Sequence, residues 1–373
     1  HSMQLRFAIV AMGVAFAAGL PAFGQARQPR LPRTVQSVVE PWIQKFEPPG
    51  VIVVIRREDE TAFFPFGEAD RERHVSISPD SIFELASVTK VFTTTSLAIE
   101  VDAGRMQLND PVHKYLPALK SGSDIRSVTL QQLATHTSSL PRTASPDPRG
   151  GWDRRQLLDW LVAWHAAYPP GTRSLYSNLA VGVLGDAIAA KEQKPLQEVW
   201  DRQFLDPLDM KSTFFDIPQS GADRLVRGYN AKGLPVERSN ENVGWPAAGR
   251  LCSSGRDMSK FLAANLGEAK DHAAITKAMR FAQRPYFKAS EHMTQGLAWQ
   301  LVHIDGELVI DKNGGLPGTS TYIGMIPSRR LGVVVMANRG KCAATAVGRR
   351  LLFTLVGGTP KSESYLAERG DAD

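Results

Sequence analysis

Residues 81–101 read SIFELASVTKVFTTTSLAIEV, with Ser87 and Lys90 three positions apart at the head of an apolar, helix-like run. An ammonium is costly to place among Val, Phe, Leu and Ile side chains. Either Lys90 reaches out to water, or it stays inside because its amine acts on the Ser87 hydroxyl. On a helix, residues i and i+3 share one face, so the second arrangement is sterically direct. A serine hydroxyl is a weak nucleophile until a neighbouring base takes its proton, and a partly buried lysine near other cations can be that base. A helix N-terminus near Ser87 would favour negative charge developing there, with Asp80 or Ser81 as candidate caps. Ser-x-x-Lys occurs once in the chain, but so short a pattern carries little by itself.

The flanks of this segment set the fold class. GVIVVIRRE (50–58) and TAFFPFGEAD (61–70) are β-rich runs around a charged turn, and they predict a hairpin. From about residue 105 to 235 the pattern is mostly helical, as in VTLQQLATHTSSL and DRRQLLDWLVAWHAAYPPG, the latter stopped by Pro-Pro-Gly. Strand patterns return in QGLAWQLVHI, GELVIDKNGG, STYIGMIPS and RLGVVVMANRG, and AATAVGRRLLFTLVGG predicts a terminal helix. Strands at both ends with helices between them describe an α/β (α+β) protein: a sheet lobe over about 35–104 and 236–358, and an inserted helical lobe over about 105–235. A cleft between such lobes is a common ligand site.

Two further segments bear chemistry. PPGTRSLYSNLAVGVLG places Tyr176, Ser177 and Asn178 on a turn between a Pro-Gly loop and a helix. A phenol held between two ammonium groups can ionise or relay protons. VIDKNGGLPGTS ends a strand with Lys312, Asn313, Gly314 and Gly315. Small residues there let backbone approach a ligand and offer N–H groups to an oxyanion.

Ser-x-x-Lys, Tyr-x-Asn and Lys-x-Gly in this order resemble the penicillin-recognising serine hydrolases, specifically the class C β-lactamase family. PDSIFELASVTK, LNDPVHKYLP, YPPGTRSLYSNLAVGVLG, DPLDMKSTFF and YIGMIPSRRLGVVVMAN extend the resemblance over roughly residues 35–358. It implies a β-lactamase/transpeptidase-like fold, an antiparallel sheet flanked by helices with the site between sheet and helical lobe. It also implies roles. Ser87 would form an acyl-enzyme, and Lys90 and Tyr176 would share the proton transfers. Asn178 would hold the substrate amide or Lys90, and Lys312 would bind the substrate carboxylate. Backbone N–H groups of Ser87 and Gly315 would form the oxyanion hole. Asn313 and Gly314 complete the substrate strand, and Asn338 matches an asparagine near the carboxylate end of the site.

Two positions depart from the family pattern. Asn313 stands where the third motif commonly has Thr, and Arg142-Thr143 follows THTSSLP where class C enzymes usually carry a Gln. The expected activity is that of an exported serine β-lactamase. A D-alanyl-D-alanine carboxypeptidase or endopeptidase and a promiscuous esterase of the same family are the alternatives. Many esterase relatives carry His where this chain has Lys312, so the lysine argues for a substrate bearing a carboxylate: a β-lactam or a peptidoglycan-derived peptide.

Composition excludes other classes. The chain has 373 residues, 43% hydrophobic and 22% charged, with net charge +6. Its basic residues alternate with acids, as in RREDE and DRERH, so no nucleic-acid partner is expected. HSM reads as a cloning remnant before Met3, and FAIVAMGVAFAAGL followed by PAFGQA reads as a secretory leader cut near Ala26. Residues 1–26 would thus be removed, leaving residues 27–373 as one catalytic unit in the periplasm, a monomer not inserted in the membrane. Cys252 and Cys342 form no framework, and no zinc motif, Walker loop or dinucleotide fingerprint is present. No cofactor or metal is expected. His136 reads as a helix-end residue.

Overall fold

The computed structural model describes residues 30–144, 153–238 and 244–358. The leader expected over residues 1–26 lies outside them. The described chain begins with helix α1 (Arg30–Phe46). Pro32 falls in its first turn, where backbone N–H groups have no intrahelical acceptor to lose.

The hairpin β1 (Gly50–Arg57) and β2 (Glu60–Asp70) forms as its β-rich runs dictate, and the short β3 (Val75–Ser76) extends it. β4 (Ile82–Glu84) leads to the Ser87 segment and pairs with β7 (Cys252–Ser254), while β5 (Gly228–Tyr229) and β6 (Pro235–Val236) form a small hairpin. The C-terminal strands are β8 (Phe287–Lys288), β9 (Met293–Gln295), β10 (Gln300–Ile304), β11 (Glu307–Leu316), β12 (Thr319–Ile326) and β13 (Leu331–Ala337). Nine of these build one antiparallel sheet in the order β3-β2-β1-β13-β12-β11-β10-β9-β8, so the two ends of the chain meet at the β1–β13 pair.

β1 explains how the sheet is buried on both sides. Val51, Val53 and Ile55 pack with Val35 and Val39 of α1 and with Val347 and Leu351 of α9 (Ala344–Leu355). Ile52 and Val54, on the other face, join the larger core with α2 (Thr89–Asp102), α7 (Gly255–Asn265) and α8 (Ala273–Ala282). A near-continuous apolar run is what a strand covered on both faces requires. The helical segments α3 (Leu130–Ala134), α4 (Arg154–Ala163), α5 (Asn178–Glu192) and α6 (Leu196–Trp200) fall in the region read as helical.

α2 is enclosed almost completely, with Phe92 stacked on Phe261 at 3.9 Å between ring centroids. Its run Thr93-Thr94-Thr95-Ser96 is poor in helix propensity, and each hydroxyl is bonded. Thr93 donates to the Ala247 carbonyl at 2.7 Å and Thr94 to that of Leu297 at 2.8 Å. Thr95 bonds back to Val91, and Ser96 to the Gln203 side chain. The hydroxyls therefore tie outside loops to the helix that follows Ser87.

Behind β11, Arg349 of α9 grips Asp311 through Nε at 2.7 Å and Nη2 at 3.3 Å, and Tyr322 of β12 donates to the same carboxylate at 2.9 Å. Both charged side chains are almost fully buried. Burial first, and the adjacent Asp311 carboxylate second, push the Tyr322 phenol well above its ordinary range. Removing one partner of such a pair strands the other charge. Arg349→Met is therefore expected to lower unfolding free energy by about 3–5 kcal/mol, measured by urea denaturation; a loss within experimental error would show that Asp311 is not charged in the fold.

Candidate active site

The expected helix around Ser87 begins later than its sequence pattern. Ser87 sits in a single 3₁₀ turn, Ala86–Val88, and α2 starts at Thr89. Neither Asp80 nor Ser81 caps it; Asp80 instead pairs with Arg256 at 2.7 Å. Ala86 has φ of 49°, a left-handed conformation uncommon for a side chain with a Cβ. This kink lets the chain leave β4 and turn the Ser87 side chain toward the helical lobe.

Lys90 stays inside. It is fully buried, and its Nζ donates to Ser87 Oγ at 3.0 Å, Asn178 Oδ1 at 2.7 Å and the Ala248 carbonyl at 2.6 Å. An ammonium has three donors, and each meets an acceptor here. Tyr176 Oη lies 2.6 Å from Ser87 Oγ, so the serine hydroxyl is bracketed by an amine and a phenol. Ser177 caps α5 by accepting from Ala180 N–H, which fixes Tyr176 just before the helix and Asn178 as its first residue.

Lys312 is buried on β11 with its Nζ 5.2 Å from the Tyr176 ring centroid; Lys90 Nζ lies 4.8 Å from the same centroid. The guanidinium carbon of Arg142 is 5.0 Å from it. Three cations thus face one phenol ring. Asn313, also buried, accepts from Lys312 Nζ at 3.3 Å, and its Nδ2 has no partner among the described residues.

β11 pairs with β10 only as far as Asp311, so Lys312–Leu316 presents a strand edge not taken up by β10. Gly314 is where that segment meets the nucleophile turn. A Cβ there would lie 2.6 Å from Leu85 O and 2.7 Å from Ser87 N, so only glycine permits the approach. Thr321 of β12 locks the junction by donating to the Leu85 carbonyl at 2.8 Å.

One site assignment needs correction. Asn338 is fully buried, and its amide is used on backbone: Oδ1 accepts from Gly50 N–H at 2.7 Å and Nδ2 donates to Glu68 O at 3.1 Å. It holds β13 to the β1–β2 hairpin and offers no group to a substrate. His136 follows the end of α3, directly after its C-cap Thr135, as expected, and it also faces the site. Its ring packs against Tyr176 at 4.6 Å between centroids, and its Nδ1 accepts from Ser177 N–H at 3.2 Å. Burial first, then the charges of Lys90, Lys312 and Arg142, hold its pKa well below 6.5, so it is a neutral wall of the site. The Ala248 carbonyl and Thr321 carry no motif that sequence reading detects.

The cysteines are both buried and form no disulfide. Burial pushes the Cys252 thiol up to about 12, and Cys342 Sγ donates to Arg339 O. Among the described residues no group of three or more His, Cys, Asp or Glu side chains is placed to hold a metal ion, and no helix is long and apolar enough to cross a membrane.

A Beta-lactamase family model matches residues 38–354, and the chain belongs to that family. It is 28% identical to a β-lactamase of Lysobacter lactamgenus, over 85% of this chain and 91% of that protein. It is 26% identical to one of Pseudomonas fluorescens, over 82% and 93% respectively. The crystal structure of a class C β-lactamase from Rhodobacter sphaeroides superposes with TM-score 0.79 at 27% identity, over 87% of this chain and all of that one (100%). A β-lactamase/D-alanine carboxypeptidase from Pseudomonas syringae superposes with TM-score 0.79 at 27% identity, over 86% of this chain and 98% of that one.

Two outcomes test the geometry. Gly314→Ala should slow covalent labelling of Ser87 by a serine-directed phosphonate about a hundredfold, the usual consequence of displacing reacting groups by an ångström; an unchanged rate would refute the close approach. His136 bears on pH. Unfolded histidine titrates near 6.5, whereas the folded residue stays neutral well below that. Below that pH the unfolded chain therefore binds a proton that the folded chain does not, and stability falls as pH falls. The wild type should lose about 1.4 kcal/mol per pH unit more than His136→Gln between pH ~6 and the folded pKa, read from urea unfolding; parallel profiles would mean that His136 protonates in place.

Proposed function

We propose that this protein is a serine β-lactamase of class C type, which hydrolyses the β-lactam amide through an acyl-enzyme on Ser87. The observation that carries the reading is the position of Ser87 Oγ, 3.0 Å from Lys90 Nζ and 2.6 Å from Tyr176 Oη. In acylation the Ser87 proton passes to the Tyr176 oxygen, which acts in its deprotonated form while Lys90 stays an ammonium, as Oγ bonds to the lactam carbonyl carbon. The oxyanion forms against the backbone N–H groups of Ser87 and Gly315. The C–N bond then breaks, and the ring nitrogen takes the proton from Tyr176. In deacylation a water attacks the ester, its proton goes to Tyr176, and Ser87 leaves with that proton returned to Oγ. Lys312, beside Asn313, receives the substrate carboxylate, and Asn178 holds Lys90 in register.

Hydrolysis of a D-alanyl-D-alanine peptide is the second reading, because it uses the same acyl-enzyme and the Pseudomonas syringae relative bears both names. Export to the periplasm belongs to the proposal through the apolar run FAIVAMGVAFAAGL behind Arg6.

Intact-mass spectrometry with a slowly hydrolysed β-lactam should show one adduct on the peptide containing Ser87, absent in Ser87→Ala. General-base assistance contributes roughly 10²–10⁴-fold, so Tyr176→Phe should lengthen the adduct lifetime by about that factor. A wild-type adduct that lasts for minutes beside brisk cleavage of a D-Ala-D-Ala peptide would replace the first reading with the second.

A further inference from the structure

Tyr176 reaches Ser87 Oγ at 2.6 Å, yet its own backbone belongs to no helix or strand, since α5 begins two residues later. One residue holds that loop from outside. The His136 carbonyl accepts from Leu175 N–H at 2.8 Å, and its Nδ1 accepts from Ser177 N–H at 3.2 Å. Its ring packs against Tyr176, the residue between those two, at 4.6 Å between centroids. Three consecutive residues are thus held by one histidine. Its φ of 57° is left-handed, a conformation in which His and Asn are enriched among residues with a Cβ. The platform is itself fixed: α3 begins with a capping box of Thr129 and Gln132, and the Ala134 carbonyl accepts from Ala298 N–H at 2.8 Å. Among the described residues His136 Nε2 has no partner, so the hydrogen bonding of the ring is directed at the Tyr176 turn alone.

The geometry points to His136 as a positioning residue of the proposed reaction: it aims the Tyr176 oxygen at Ser87 by clamping the peptide groups on both sides of the tyrosine, with Nδ1 as the acceptor that decides the aim. The ring is buried, so it acts through Tyr176 and not on the substrate. Both proposed proton transfers run through the Tyr176 oxygen, and general-base help requires hydrogen-bond reach. Without Nδ1 the Ser177 N–H becomes a buried donor lacking its acceptor, a cost that a shift of the turn relieves. Ser177 Oγ still donates to the Pro141 carbonyl at 2.6 Å and accepts from Ala180 N–H at 2.9 Å. Loss of the clamp should therefore leave α5 seated and displace Tyr176. The bond needs an unprotonated Nδ1, and burial first, then the charges of Lys90, Lys312 and Arg142, keeps it so.

His136 has this role only if the acyl-enzyme reading holds, with Tyr176 as the proton carrier. The test compares the full chain as wild type, His136→Phe, His136→Asn, Tyr176→Phe, and the double variant of His136→Phe with Tyr176→Phe. Phe keeps a ring and removes the acceptor. Asn places its Oδ1 where Nδ1 stands and tolerates the left-handed backbone. Timed intact-mass spectra of the Ser87 adduct formed by a slowly hydrolysed β-lactam give the deacylation rate. His136→Phe should slow it roughly ten- to a hundredfold, as displacing a reacting group does, and His136→Asn should stay within about threefold of wild type. The double variant should be no slower than Tyr176→Phe alone, because the histidine then has nothing left to aim. Where His136→Phe does not fold, His136→Gln, whose oxygen lies one methylene beyond the Nδ1 position, takes its place with the same expectation. Equal slowing in His136→Asn and the acceptor-free variant, no slowing in the latter, or multiplied losses in the double variant overturns the role of His136 and leaves the reaction in place. Absence of any Ser87 adduct in the wild type overturns the reading and the inference together.

Discussion

A buried ammonium with three fixed acceptors governs the architecture around the site. Lys90 has no water to fall back on, so its position holds only while Ser87, Asn178 and the Ala248 carbonyl stay where they are. Those acceptors come from three separate segments: the turn after β4, the start of α5 and the turn before β7. Leaving one N–H donor unpaired in this surrounding costs several kcal/mol in desolvation. The same bonds that satisfy the charge thus hold these three segments together at the nucleophile. The hydroxyls of α2 serve that end too, since Thr93 binds Ala247, the residue before the Lys90 acceptor.

Around this centre the phenol faces positive charge. Tyr176 meets two ammonium groups, a guanidinium and a neutral imidazole. The neutrality of His136 matters as much as the cations, because a protonated ring would add a fourth like charge inside a closed space. The negative charge in this part of the sheet lies on Asp311, one residue from Lys312 and on the opposite face, where Arg349 neutralises it. Strand alternation keeps the two apart: one face of β11 is a sealed ion pair, the next residue a cation for the site.

Much of this was legible in the sequence. The β1–β2 runs, the helical middle and the late strands follow from apolar periodicity, and Ser87, Lys90, Tyr176 and Lys312 stand in short patterns with a chemical reason. What escaped has no local signature. The left-handed Ala86 is set by the need to turn between β4 and α2, which no propensity of alanine announces. The Ala248 carbonyl is backbone and has no letter. Asn338 matched a pattern by position, yet the missing partners of Gly50 and Glu68 at the hairpin claimed its amide. His136 stands at a helix end as read, but its partners, Ser177 and Tyr176, are forty residues downstream or more, a distance over which periodicity says nothing.

The meeting of β1 with β13 sets the order in which the molecule can mature. Val51 faces Ala337 and Arg57 faces Leu331, so this inner pair of the sheet joins residues more than 270 positions apart. Pairing of such high contact order is slow, and it cannot begin until the last strand has been synthesised. The site shares this timing, because Ser87, Tyr176, Ala248 and Lys312 are spread across the same interval. A growing chain therefore carries Ser87 and Lys90 without Tyr176, the Ala248 acceptor or Lys312, and activity switches on with completion of the fold rather than by degrees.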